Sequence, residues 1–117
     1  MSEPLYPREL DSITGKEFEV LIVKLLVKLG FEIESQSTGP DGGIDILATS
    51  GADFVPGRHV FQCKRYSKKV GVEAVRDLPG VVSDKRVNKG ILITNAEFTK
   101  AALGFATGNP IELDHSL

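Results

Sequence analysis

The sequence predicts a mixed α/β domain in which one central sheet is flanked by helices, in the order α-β-β-β-α-β-α-β. Three observations predict it. Apolar residues recur at helical spacing over residues 15–29 and 72–83. Short β-rich runs at residues 31–36, 44–48, 59–66 and 90–94 lie between turns. A helical stretch between Tyr66 and Gly90 permits a right-handed crossover to a parallel strand, whereas the short links before it favour antiparallel pairing.

Each element follows from local chemistry. Residues 1–11, with Pro4 and Pro7, read as a leading arm, and residues 12–117 as one folded domain. Thr14-Gly-Lys-Glu17 is a capping box with Thr14 as N-cap. Behind it Phe18, Leu21, Ile22, Leu25, Leu26 and Leu29 form an apolar stripe, and Gly30 ends the helix. Phe31-Glu-Ile-Glu-Ser-Gln36 alternates as a half-buried strand does. Residues 38–43 form a glycine loop with no Gly-Lys-Ser/Thr behind it, so it is no phosphate cradle. Ile44–Ala48 and His59–Tyr66 are the next strands, separated by a turn over residues 50–57. Val75, Leu78, Val81 and Val82 share one face of a helix over 72–83 that Pro79-Gly80 must kink or shorten. Gly90–Thr94 is a buried strand, residues 99–106 a helix, and Ile111–Leu113 a last short strand.

Length and composition narrow the function. One hundred and seventeen residues hold one core, and 41% apolar with 26% charged residues excludes a disordered chain. No apolar run approaches the ~18 residues that span a bilayer. The start MSEPLYPREL lacks the basic and apolar regions of a secretory signal. A single cysteine, Cys63, excludes an intramolecular disulfide and a zinc site of paired cysteines. The expectation is a cytoplasmic domain with no membrane association, standing alone or as part of a longer protein. The net charge of −2 conceals a split: residues 1–47 carry −5 and residues 58–100 carry +6. Such polarity suits a polyanion on one face as well as it suits a solvated basic loop.

The chemistry concentrates on two strands. Alternation puts Gln62 and Lys64 on one side of the third strand, with Phe61 and Cys63 on the core side. His59 and His115 lack metal-ligand spacing, and Cys63 reads as a small core hydrophobe. Asp45 lies between Ile44 and Ile46, where an ionised carboxylate costs several kcal/mol unless compensated. A hairpin brings Asp45 near Gln62 and Lys64. The Asp45 carboxylate, the Gln62 amide oxygen and the Cys63 backbone carbonyl are hard oxygen donors suited to Mg²⁺. Lys64 beside them can orient or deprotonate water and offset developing charge. Glu17 is occupied by the capping box, but Glu19 flanks the apolar stripe. A second carboxylate about 4 Å from Asp45 would cost roughly 4 kcal/mol in repulsion, which a divalent cation relieves.

Those residues carry a family resemblance. Phe18-Glu19, Gly30-Phe31, Asp41-Gly-Gly-Ile-Asp45 and Gln62-Cys-Lys64-Arg65 resemble the catalytic domain of Mrr-type restriction endonucleases, a branch of the PD-(D/E)xK nuclease superfamily. The resemblance continues through Val70-Gly-Val72, Gly90–Thr94, Phe98-Thr99-Lys100-Ala101 and Ile111-Glu-Leu113, over roughly residues 10–117. It implies a restriction-endonuclease-like fold and a Mg²⁺-dependent DNA endonuclease, with Mn²⁺ able to substitute. It further implies Asp45 and Gln62 as metal ligands and catalytic groups, Lys64 as the catalytic lysine and Glu19 as the helix carboxylate. Gln62 replaces the superfamily's usual acid but is the usual residue of the Mrr branch; a neutral ligand weakens metal affinity. Asp41 reads as structural. Arg65, Lys68 and Lys69 follow the site and could hold DNA phosphates, with Lys85, Arg86 and Lys89 as a second basic group. Tyr66 reads as a cap on the sheet. In this family a separate targeting domain often supplies specificity. Two rival readings stand beside this one. The spacing Gly15…Glu19…Gly30-Phe31 also resembles archaeal Holliday junction resolvases, which implies a homodimer acting on junctions. The acidic pI of about 5.7 suits a nuclease-like module that binds DNA without cutting it.

Overall fold

The computed structural model describes residues 15–38, 43–50 and 57–115. The Thr14 cap, Asp41 with most of the glycine loop, and the leading arm lie outside the described residues. Among those described, helix α1 (Gly15–Lys28) is followed by β1 (Glu32–Thr38), β2 (Ile44–Thr49) and β3 (Arg58–Cys63). Then come the short helices α2 (Val72–Val75) and α3 (Leu78–Asp84), β4 (Lys89–Ile93), α4 (Lys100–Thr107) and β5 (Ile111–Asp114). The order matches the expectation from sequence.

The sheet runs β1-β2-β3-β4-β5. The first three strands pair antiparallel and the last three parallel. One core lies between α1 and the face carrying Ile44, Ile46, Ala48, Phe61 and Cys63. The other lies on the opposite face, where Val60 and Leu92 meet Val75, Leu78, Val82 and Ala102 from the remaining helices. β3 is therefore packed on both sides, with Phe61 and Cys63 toward one core and Val60 toward the other.

Helix α1 buries Phe18, Ile22 and Leu26, one residue per turn. It ends one residue earlier than its periodicity suggests. The Phe31 amide donates to the Leu26 carbonyl and the Gly30 amide to the Val27 carbonyl. Gly30 holds φ at 96°, so the end is a Schellman turn that turns Leu29 out to solvent, 45% exposed. β1 runs to Thr38, beyond the expected end at Gln36. It carries a bulge at Glu34, between Ile33 paired with Ala48 and Ser35 paired with Leu47. Glu34 is bonded by Thr49 and by the Arg58 guanidinium, at 3.0 and 3.1 Å, which ties three strands together at one end of the sheet.

Two expectations need correction. The helix expected over 72–83 is two helices, broken at Arg76-Asp77. Pro79 lies in the first turn of α3, where its missing N–H costs nothing, so the break precedes the proline instead of falling on it. The strand expected over 59–66 stops at Cys63. The Lys64 amide still donates to the Ile93 carbonyl at 3.1 Å, but the backbone ladder then ends.

Gly90 sets the approach of α3 to the sheet. A Cβ there would stand 2.8 Å from Val82 Cγ2 and 2.9 Å from Leu78 Cδ1. Gly90→Ala is expected to destabilise the domain by about 1–3 kcal/mol in urea unfolding, through displacement of α3. His59 packs edge-on to Phe31 at 5.5 Å and beside Phe61. Burial holds its pKa below the ordinary value; the Gly57 backbone opposes this, the Lys89 charge adds to it, and Glu112 opposes it more weakly. The unfolded chain therefore takes up this proton first. The contribution is intact above about pH 6.5 and is lost as pH falls through the lower folded value. Unfolding midpoints measured from about pH 7 to 5.5 are expected to decline in the wild type and to decline less in His59→Phe.

Candidate active site

The β2–β3 hairpin builds the site. Its register sets Asp45 opposite Gln62 and Ile44 opposite Cys63. Ile44 and Ile46 are buried against α1, which leaves Asp45 on the other face of the same strand. Gln62 shares that face from β3, because Phe61 and Cys63 occupy the α1 side. An open cleft of about 230 Å³ forms where β3 ends, lined by Asp45, Gln62, Cys63, Lys64, Tyr66 and Asp77. Three of the four residues expected to act together thus face one cleft.

Glu19, the fourth, is half-buried on α1, in the layer that covers the opposite face, and does not line this cleft. Its charge still reaches the same strand end. The Cys63 thiol is pushed up to about 12, first by burial and then by the negative charges of Asp45 and Glu19. Among the described residues no three His, Cys, Asp or Glu side chains gather as a metal site. The candidate donors near Asp45 are instead an amide oxygen and a main-chain carbonyl. That set is all-oxygen and carries one formal charge, which fits a hard divalent cation held weakly. It offers nothing to a softer metal.

The positive charges divide between the ends of the sheet. Arg65, Lys68 and Lys69 continue from β3 at the cleft end, with both lysines exposed. Lys89 stands opposite His59, whereas Ile93 stands opposite Cys63. The second basic group therefore lies at the far end, roughly 13 Å away along the strand. There Lys89 pairs with Glu112 at 3.3 Å and Arg58 with Glu34.

Two further residues, one lining the cleft and one bonded to its Tyr66, carry no signal in the one-dimensional pattern. Asp77 occupies the N-cap position of α3, yet its side chain makes no capping bond and lines the cleft. An Asp two residues before a proline suggests only a cap. Asn95 follows β4 and is buried at 9% exposure. The Tyr66 amide donates to Asn95 Oδ1 at 3.0 Å, and Asn95 Nδ2 donates to the Tyr66 carbonyl at 3.2 Å. Tyr66 does more than cap the sheet, since Lys64 Nζ lies 5.4 Å from the centre of its ring.

The chain is similar to known proteins in sequence and in fold. A family model described as restriction endonuclease, the Mrr catalytic domain, matches residues 10–116. The chain is 27% identical over 100 residues to the type IV methyl-directed restriction enzyme EcoKMrr of Escherichia coli (strain K12), covering 80% of this chain and 32% of that protein. Its fold is similar to that of EndoMS in apo form, with a TM-score of 0.65 and 20% identity over 87% of this chain and 45% of that one. It is also similar to the DNA modification-dependent restriction endonuclease AspBHI, with a TM-score of 0.63 and 21% identity over 92% of this chain and 30% of that one. The chain spans about a third of its curated relative and less than half of these two structures.

Burial of Cys63 gives this geometry a direct test. With its thiol near 12 and its side chain inaccessible, Cys63 is expected to resist a thiol reagent at about pH 8 in the folded protein and to react on unfolding. Prompt labelling of the native protein would show that the strand end behind the cleft is open.

Proposed function

The chain belongs to the Mrr catalytic-domain family of restriction endonucleases, and from that premise we propose that it is a divalent-cation-dependent DNA endonuclease domain in which Asp45, Gln62 and Lys64 act on the phosphodiester. One observation carries the reading: the β2–β3 register sets a carboxylate opposite an amide at the mouth of a cleft that a lysine also lines. Asp45 stands half-buried between two buried isoleucines, a position where a bound cation offsets part of the cost of its charge.

In this reading Asp45, Gln62 and the Cys63 carbonyl hold Mg²⁺, with Mn²⁺ able to substitute. The ion, when bound, supplies Lewis acidity toward the scissile phosphate. Lys64 then places a positive charge beside the phosphate, offsetting charge as water attacks in line, and its ammonium orients that water. Glu19 acts from the other side of β3 through its field on the strand end. Asp45 brings a single formal charge and Gln62 none, so the site binds its cation weakly and depends on the substrate phosphate to complete it.

The substrate is proposed as duplex DNA. Arg65, Lys68 and Lys69, next to the cleft, support it as a source of phosphate contacts on either side of the reacting one. The names of the E. coli relative and of AspBHI also point to restriction of modified DNA. Recognition of the modification is assigned to a further domain, in keeping with the share of those proteins that this chain covers. Among the described residues no helix is long and apolar enough to cross a membrane.

Incubation of the purified domain with plasmid or duplex DNA and Mg²⁺ or Mn²⁺ tests the reading. Cleavage is expected to need the cation and to fall roughly 100-fold or more in Asp45→Asn and in Lys64→Ala, both still folded. Gln62→Glu is expected to lower the half-saturating cation concentration by adding a charge to the ligand set. Equal cleavage by all three variants and the wild type overturns the assignment.

A further inference from the structure

We propose that Asn95 is a positioning residue for Lys64, acting through the backbone and ring of Tyr66. The inference rests on the assignment of Lys64 to the proposed chemistry and adds to it a residue outside the expected motif.

The clamp lies where β3 leaves the sheet. In the parallel β3–β4 ladder the Lys64 amide donates to the Ile93 carbonyl, so the next rung should join Tyr66 to the backbone around residue 95. It does not. The Asn95 side chain takes that place, accepting from the Tyr66 amide on Oδ1 and donating to the Tyr66 carbonyl from Nδ2, at 3.0 and 3.2 Å. A carboxamide has the same donor and acceptor as a peptide unit, and Asn95 uses both as a rung would. Backbone pairing resumes only at Val70, whose amide donates to the Glu97 carbonyl and whose carbonyl accepts from Thr99. The segment carrying Lys68 and Lys69 is thus fastened at both ends to the stretch after β4.

Asn95 is in turn held in place. It is buried, Thr94 Oγ1 donates to its Oδ1 at 3.3 Å, and Thr94 is itself fully buried. The consequence falls on Lys64, which ends in an ammonium on a flexible four-carbon stem. The Tyr66 ring, fixed by the clamp on its backbone, offers that ammonium a face at 5.4 Å to its centre, beside the cleft. Without the clamp, Tyr66 and the ring go astray, and the ammonium loses its definition relative to Asp45 and Gln62. Those two residues sit in the regular ladder and keep their places.

The test follows Lys64 directly as well as through cleavage. In protein labelled with ¹³C-lysine, the Lys64 ε-methylene is expected upfield of the other lysines because the ammonium it carries lies over the Tyr66 ring. Asn95→Ala and Tyr66→Leu are each expected to abolish that shift and to slow single-turnover DNA cleavage roughly 10- to 100-fold. The half-saturating Mn²⁺ concentration is expected to stay within about twofold, since the ligand set precedes the clamp. Tyr66→Phe, which keeps the ring, is expected to recover both the shift and most of the rate lost in Tyr66→Leu. Should Asn95→Ala fail to fold, the two Tyr66 variants decide the matter. An unchanged Lys64 shift in Asn95→Ala, or wild-type cleavage in Tyr66→Leu, overturns the proposal. Absence of cleavage by the wild-type domain defeats the nuclease reading instead, and the lysine shift then still decides whether the clamp holds the ammonium.

Discussion

The structure depends on the antiparallel register between β2 and β3. Ile44, Ile46, Phe61 and Cys63 must all reach the core under α1, and that demand fixes the pairing Asp45–Gln62 on the other face. Side chains alternate with period two, so a slip of β2 by one residue would turn Asp45 toward α1 and carry Ile44 and Ile46 to the other face. The apolar half of the hairpin thereby locates its polar half. Core packing and site geometry are one constraint seen from two sides.

Layering adds the rest. With α1 beneath and α2, α3 and α4 above, β3 is covered on both faces over most of its length and uncovered only at its end. The cleft opens there, under the break between α2 and α3 that brings Asp77 to its edge. The same end carries Lys64, Arg65, Lys68 and Lys69. At the opposite end Arg58 and Lys89 are matched by Glu34 and Glu112. The sheet is thus polarised along its strands: paired charges stabilise one end, and cations cluster beside the cleft at the other. This distribution, rather than the net charge of −2, bears on a polyanionic substrate.

The order of elements, both pairing modes and most of the core follow from patterns along the chain. Helical spacing of Phe18, Ile22 and Leu26 and the β-branched run at Gly90–Ile93 are local signals, and burial of those residues enforces them. β3 ends before Tyr66, which looks like a strand residue but pairs with a side chain. Pro79 does not break its helix, since at the first turn a proline is tolerated. Asp45, Gln62 and Lys64 stood out because a carboxylate, an amide and an ammonium sat where apolar alternation left room for them.

By itself, the sequence determined which residues must be buried, and hence the faces on which Asp45, Gln62 and Lys64 stand. It did so because hydrophobic burial acts on every residue of a strand or helix with a period that can be read directly. Only the tertiary structure decided that Asn95 grips Tyr66, that Asp77 borders the cleft, that Glu19 stays outside it, and that Lys89 lies at the opposite end of the sheet. Those placements depend on which segments become neighbours after the parallel crossover. Single polar contacts across 29 residues of chain, such as that between Tyr66 and Asn95, leave no periodic trace.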